Sequence, residues 1–359
     1  MDRIENIKNL LNTIRSSEGS GFTCDERKIL ANYQSNKGEK ASLAIKILSV
    51  LGGILASAAF IVVLFLLDVL DSEWSSVVLG IVLIGTAIGI NKKYETLIID
   101  TFSVSIYVLG FVLFILGMAM HHNVQEEHVA FLIVLIALSS LFFTQNYVIS
   151  FISVLAIGAA FLFLIISYNI PDAIHGYVLF YTIALSYCFL NEASLLTAHP
   201  KLAKLYGPLR IGLIFSLLFG LVAIGKNGLV PISKNLIWMS SIASFFFILY
   251  LASHVLKTLQ VRSTKNKWVA YVLCFLTLLP TLFAPAISGA ILIVLLSFLI
   301  NHKTGLGVGI VALVYFVSQY YYDLNLSLLT KSIVLFSSGV VFLVFYLFFT
   351  KKTKTHEKV

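Results

Sequence analysis

Asp323 and Lys331 are the charged side chains of the stretch YYYDLNLSLLTKS, an acid and a base eight positions apart in apolar surroundings. Such a pair can clasp across a turn. Alternatively, with Tyr321, Tyr322 and Ser332 beside it, the pair can form a binding site at the outer mouth of two helices. Asp100 is the next candidate. Ser103 and Tyr107 follow it at i+3 and i+7, which places the three on one helix face. That stripe can line a path for a cation or polar solute, and Asp100 can equally bind a lysine of the preceding NKK. A charge at mid-bilayer costs roughly 2.5–3.5 kcal/mol on insertion scales, so each of these residues needs an account.

His175 and His254 lie near the ends of apolar runs. A histidine there is ordinarily a hydrogen-bonded packing residue. To serve as a proton relay it needs an acidic neighbour, which the sequence alone does not place. The stretch HHNVQEEH offers His121, His122, His128, Glu126 and Glu127, which are suitable ligand types for zinc or copper. Their spacing matches no known site, and a wet acidic turn is the expectation. Cys24, Cys188 and Cys274 form no CxxC pair. No P-loop, nucleophile elbow or HExxH is present, so no catalytic residue, metal site or cofactor is expected.

The elements that would position these groups follow from composition. Of 359 residues, 59% are hydrophobic and only 12% charged, about half the charge of an ordinary soluble domain. Polar residues must cover a water-soluble exterior, and there are too few here. With about 20 apolar residues per crossing, the chain divides into twelve stretches. They run approximately 47–67, 75–90, 98–120, 128–144, 147–168, 172–190, 208–225, 235–256, 268–284, 286–301, 305–321 and 329–349. Pro280 and Pro285 leave open whether the ninth and tenth are separate or one broken helix.

The net charge of +8 sits in the gaps between apolar runs, which speaks for membrane topology and against nucleic-acid binding. Gaps such as NKKYET, KTLQVRSTKNK and NHKTG alternate with DVLDSEW, HHNVQEEH and NIPD, and GKNGLVPISKN is the exception. Lysine and arginine are retained inside during insertion, so both termini are expected in the cytoplasm. The expectation is thus an all-α polytopic membrane protein. It has a short cytoplasmic amphipathic segment over 1–41, a transmembrane domain over 42–350 and a basic tail over 351–359. In the first segment, Ile4, Ile7, Leu11 and Ile14 recur at helical spacing, and Thr23 with Glu26 forms a capping-box pattern. The first 40 residues are polar, so no cleavable signal peptide is expected. GTAIG (Gly85 to Gly89) and GLGVG (Gly305 to Gly309) are patterns that let helices approach closely.

YYYDLNLSLLTKSIVLFSSGVVFL resembles the C-terminal signature of the bacterial membrane-protein family called domain of unknown function 4401. Tyr321, Tyr322, Asp323, Leu324, Leu328, Leu329, Lys331, Ser332 and Gly339 carry the pattern, and ILSVLGGILASAAFIVVLFLL near the start is similar as well. The resemblance reaches from about residue 42 to 348. It implies a multi-pass protein of the bacterial cytoplasmic membrane, with a small exported or membrane-anchored protein as partner. The first functional expectation is a scaffold or accessory protein that docks such a partner at its outer face. A secondary transporter of a small solute is the alternative, and an integral-membrane enzyme the third.

Overall fold

A computed structural model describes residues 73–93, 97–120, 124–226, 229–258 and 264–323, with short stretches inside 11–66 and 327–343. Among these residues every regular element is helical and no strand occurs. The chain divides into two compact units, Met1–Asn123 and Val124–Val359.

The first unit contains α1 (Glu73–Lys93) and α2 (Leu97–Met120), which pair antiparallel. Their approach is set by glycines. A Cβ on Gly80 would lie 2.6 Å from the Phe114 backbone nitrogen, and one on Gly117 would lie 2.8 Å from that of Val77. The GTAIG pattern plays no such part, since a Cβ on Gly85 or Gly89 would meet nothing within 4 Å. Leu64 packs with Leu109 and Leu113 at the buried side, while Val78, Ile81 and Val82 face outward.

The second unit contains α3 (Glu126–Phe143), α4 (Tyr147–Ser167), α5 (Ala173–Leu190) and the short α6 (Glu192–Ala198). It continues with α7 (Pro200–Gly225), α8 (Ile237–Thr258), α9 (Thr264–Leu278), α10 (Pro285–Leu299) and α11 (Lys303–Asp323). The starts of these helices follow from local chemistry. Asn146 caps α4 by accepting from the Val148 and Ile149 N–H groups at 2.9 and 3.1 Å. His199 caps α7 through Nδ1, with Pro200 in the first helical position, where its missing N–H costs nothing. Asn169 and Asn301 take left-handed backbone conformations (φ 53° and 57°) in the turns after α4 and α10, a geometry asparagine tolerates better than most residues. Ala284 breaks the helical path between the turn of 3₁₀ helix at Leu279–Phe283 and α10, so the proline-rich stretch separates two helices.

Contacts fix the direction of each helix. His175 meets Ser240 at the start of α5 and α8, while Phe189, His254 and Leu299 line one recess where α5, α8 and α10 end. These three therefore run parallel. The opposite sense belongs to α7, whose Gly220 packs on Tyr177 and whose Arg210 reaches Glu192. Gly309 of α11 packs on Ile293 and Val294 of α10, also antiparallel. Here Gly305 and Gly309 of GLGVG do serve close packing, while a Cβ on Gly307 would meet nothing within 4 Å. Tyr181, Leu185, Leu217, Leu221, Ile293 and Leu296 belong to the core that α5, α7, α8, α10 and α11 share.

Among the described residues, eight helices are long and apolar enough to cross a membrane, and Lys267–Phe283 and Pro285–Leu299 are shorter apolar ones. These coincide with the second to eleventh expected stretches. The first and last, like the N-terminal helices and the Thr23 capping box, fall largely or wholly outside the described residues. Exposed Phe142, Phe180, Phe246 and Phe298 give the second unit an apolar exterior suited to lipid.

Candidate functional site

The interior of the second unit carries a line of small polar side chains. On α5, His175, Thr182 and Ser186 fall at i, i+7 and i+11, on one face, and are buried. Ser240, Ser241 and Ser244 of α8 and Ser288 and Ser297 of α10 are fully buried as well. The His175 Nδ1 and the Ser240 hydroxyl share a hydrogen at 2.6 Å. Ser241 donates to the Thr281 carbonyl at 3.3 Å and Ser288 to that of Pro285 at 3.0 Å. The hydroxyls of Thr182, Ser186, Ser244 and Ser297, and the His175 Nε2, are buried without a hydrogen-bond partner. A buried polar group left unpaired costs about 1–3 kcal/mol. Five such groups lie on α5, α8 and α10, and Ser150 of α4 and Ser216 of α7 carry the same cost.

At the starting end of this seam stands Asp172, at the surface. It accepts from the Ser233 N–H at 2.9 Å and the Ser233 hydroxyl at 2.8 Å. Those two bonds hold its carboxyl below the usual carboxylate range, partial burial opposes them, and the nearby His175 ring adds to the lowering. The acidic neighbour that the sequence could not place for His175 is thus three residues away. Its negative charge also suits the start of α5, where the helix dipole is positive.

The opposite end is built around Arg210. Its Nη1 donates to Glu192 Oε1 at 3.2 Å, and the guanidinium lies over the rings of Tyr206 (4.9 Å) and Phe189 (5.6 Å). Tyr206 donates to the Cys188 carbonyl at 3.3 Å, which ties α7 to the end of α5. A recess of about 510 Å³ opens beside this group, lined by Phe189, Asn191, Glu192, Tyr250, His254 and Leu299.

His302 closes this end. Its Nδ1 accepts the Gly305 N–H at 3.1 Å, which caps α11, and its ring stands edge-on to Phe189. Burial, then the Arg210 charge, lowers its proton affinity from the usual 6.5. The unfolded chain therefore protonates first as pH falls. His302 contributes stability fully above about pH 6.5 and loses it as pH falls through the lower folded value. Thermal unfolding in detergent should show a Tm that declines below about pH 6.5. In His302→Asn, where an amide oxygen replaces Nδ1 as the cap, that decline should flatten.

The residues singled out from sequence are spread over both units. The Asp100 side chain lies outside the described residues. Ser103 and Tyr107 are fully buried in the first unit, where Ser103 accepts from Asn91 at 3.4 Å and Tyr107 packs edge-on against Phe111. Asp323 ends α11 half-buried and accepts from Gln319 at 3.0 Å, and Tyr321 and Tyr322 pack edge to face. Tyr322 and Ser332 are exposed. Lys331 lies outside the described residues, and with it the proposed clasp to Asp323. Ser327 accepts the Thr330 N–H at 3.2 Å, as a helix cap does. Glu127 accepts from Ser167 at 3.0 Å, and no metal-binding group of three His, Cys, Asp or Glu occurs among the described residues.

Sequence reasoning missed Arg210, Glu192, Tyr206 and the serines. The spacing of His175, Thr182 and Ser186 was a usable signal: three polar residues on one face of an otherwise apolar helix.

Long apolar helices with outward hydrophobic side chains, packed around an apolar core, define a membrane-embedded, all-α protein. The chain belongs to the family described as domain of unknown function DUF4401, whose model matches residues 42–352. No curated protein and no solved structure matches it.

Proposed function

We propose that the protein moves a small polar species across the membrane through the interior of the Val124–Val359 unit. The observation that carries this reading is the seam of His175, Thr182, Ser186, Ser244 and Ser297, whose buried polar atoms lack partners inside an apolar bundle. A passing polar solute, or water leading it, would satisfy them in turn, and intramembrane polar residues commonly mark such paths.

Charge supports an orientation. Lys201, Lys204, Arg210, Lys257, Lys267 and Lys303 gather at the Arg210 end, and Asp172, Glu126, Glu127 and Asp323 at the other. By the positive-inside rule the Arg210 end faces the cytoplasm and both termini lie there, in a bacterial cytoplasmic membrane.

The test is flux into proteoliposomes for a panel of labelled amino acids, sugars and inorganic ions, together with protons. Thr182→Val and Ser186→Ala remove hydroxyls at little change in volume. At least one species should cross faster than in empty vesicles, and the double variant should slow it about tenfold, the equivalent of 1.4 kcal/mol. Rates equal to those of empty vesicles across the panel would overturn the reading.

Docking of an exported partner at the outer end is the second reading. Tyr322, exposed beside the half-buried Asp323 at the end of α11, favours it. Affinity capture in mild detergent should then return a protein that Asp323→Ala releases; capture unaffected by that change would count against it.

A further inference from the structure

Asp172 and His175 lie three residues apart at the start of α5, one at the surface and the other buried at 4% exposure. We propose that Asp172, His175 and Ser240 form a proton-binding station at the outer end of the seam. The inference rests on the transport reading for its purpose, and on its own geometry for its existence.

Each group has a separable part. Two bonds from Ser233 fix the Asp172 carboxylate in place, an ionised acceptor at the aqueous edge that raises the local proton concentration. Ser240 holds His175 Nδ1 at 2.6 Å and so fixes the ring. In the tautomer whose Nδ1–H donates to Ser240, the lone pair on Nε2 has no other donor to engage it. A proton from the outer water, arriving past Asp172, bonds to that lone pair. The ring becomes imidazolium and the Asp172 carboxylate balances its charge. Release of the same proton from Nε2, inward, returns the starting state, and no other bond changes. Histidine is suited to this exchange because its charge changes within the range of ordinary pH.

The surroundings agree. The helices packed against α5 here bring Ser240 and Ser241 of α8 and Ser288 of α10, and Ser241 in turn holds the Thr281 carbonyl of the 3₁₀ turn. Tyr177, next on α5 itself, donates to the Ser216 carbonyl at 2.9 Å. Of the other charged residues with described side chains at this end, Lys226 closes α7, Glu126 opens α3, Glu127 is bonded to Ser167 and Asp323 to Gln319. Asp172 is therefore the acid placed to serve His175.

Nitrogen-15 NMR of histidine-labelled protein in liposomes reads the station directly, with His175→Gln identifying the signal. Nε2 should gain a proton as pH is lowered from about 8 to 5. In Asp172→Asn its midpoint should move, and in Ser240→Ala the neutral ring should change tautomer. A His175 that keeps one neutral form throughout, or titrates identically in Asp172→Asn, would overturn the station.

Proton entry into pyranine-loaded vesicles under a valinomycin-set potential gives the second readout. It should fall about a hundredfold in His175→Gln. If a labelled solute crosses at a rate unchanged by pH and by His175→Gln, transport stands and the station falls. If His175 titrates in Asp172-dependent fashion while nothing crosses, the station stands and the transport reading falls. Melting temperatures of each variant within a few degrees of wild type would exclude misfolding as the cause of any loss.

Discussion

Gly80→Val is expected to destabilise the first unit by about 3 kcal/mol, the upper range for an overpacked interior. The atoms a new Cβ would meet decide the size of the effect. Phe114 N at 2.6 Å and Gly110 O at 2.8 Å are backbone, and neither can rotate aside as a side chain would. Accommodating the valine means moving α1 bodily from α2. Gly110 reports the same contact from the other side, since a Cβ there would lie 2.9 Å from the Gly80 carbonyl oxygen. Gly85→Ala is the matched control. It sits on the same helix with nothing within 4 Å, and its stability should be unchanged or slightly raised, because alanine is the better helix former. Denaturation of the purified protein in mixed detergent micelles checks both. Equal midpoints for Gly80→Val and Gly85→Ala would show that the glycine contact does not set the packing.

Arg210→Ala should cost the second unit about 2 kcal/mol. Breaking a fully buried ion pair costs 3–5 kcal/mol, whereas an exposed one is worth about 0–1 kcal/mol. Arg210 and Glu192, with side chains 14% and 29% exposed, fall between. Loss of the guanidinium from the Tyr206 and Phe189 rings adds roughly 1 kcal/mol to the ion-pair share. Arg210→Lys keeps the charge but not the flat face, and should lose about half as much. A second consequence separates this from a generic packing loss. Arg210 lowers the proton affinity of His302, so its removal should bring the folded-state value closer to the usual 6.5 and make the decline in Tm below that pH smaller. An Arg210→Ala protein with wild-type stability and an unmoved pH profile would mean the cluster is decorative.

Much of the fold was open to reading from composition alone, because lipid imposes a simple demand. Backbone polar groups must pair within each crossing, so a run of about 20 apolar residues can only be a helix. The site was less legible, for local reasons. Hydropathy starts the α7 stretch at 208, where apolar residues begin, but the His199 cap and Pro200 start the helix two turns earlier. Tyr206 thus looked like a loop residue, although it stands one turn below Arg210 on a helix that binds Glu192. The two glycine motifs differ in the same way. Spacing permits close approach at both, and only the neighbouring helix decides that Gly305 and Gly309 are used while Gly85 and Gly89 are not. Nor could spacing reveal that Ser240 would meet His175, since 65 residues separate them.

One helix has a bearing on how the chain is made. At 15 residues, α10 is about 22 Å long, short of a hydrocarbon core of roughly 30 Å. Its buried positions, Ala286, Gly289, Ala290, Ile293 and Leu296 among them, look onto protein, so its length need not match the lipid once it is home. Before that, during synthesis, the insertion machinery meets a segment too brief to be retained firmly by hydrophobicity alone. Of its partners, α5, α7 and α8 leave the ribosome first and would already form part of the wall that receives it, with α11 following. Biogenesis of this protein should therefore depend on sequence order, with a circularly permuted chain that makes α10 early delivering it to the wrong side.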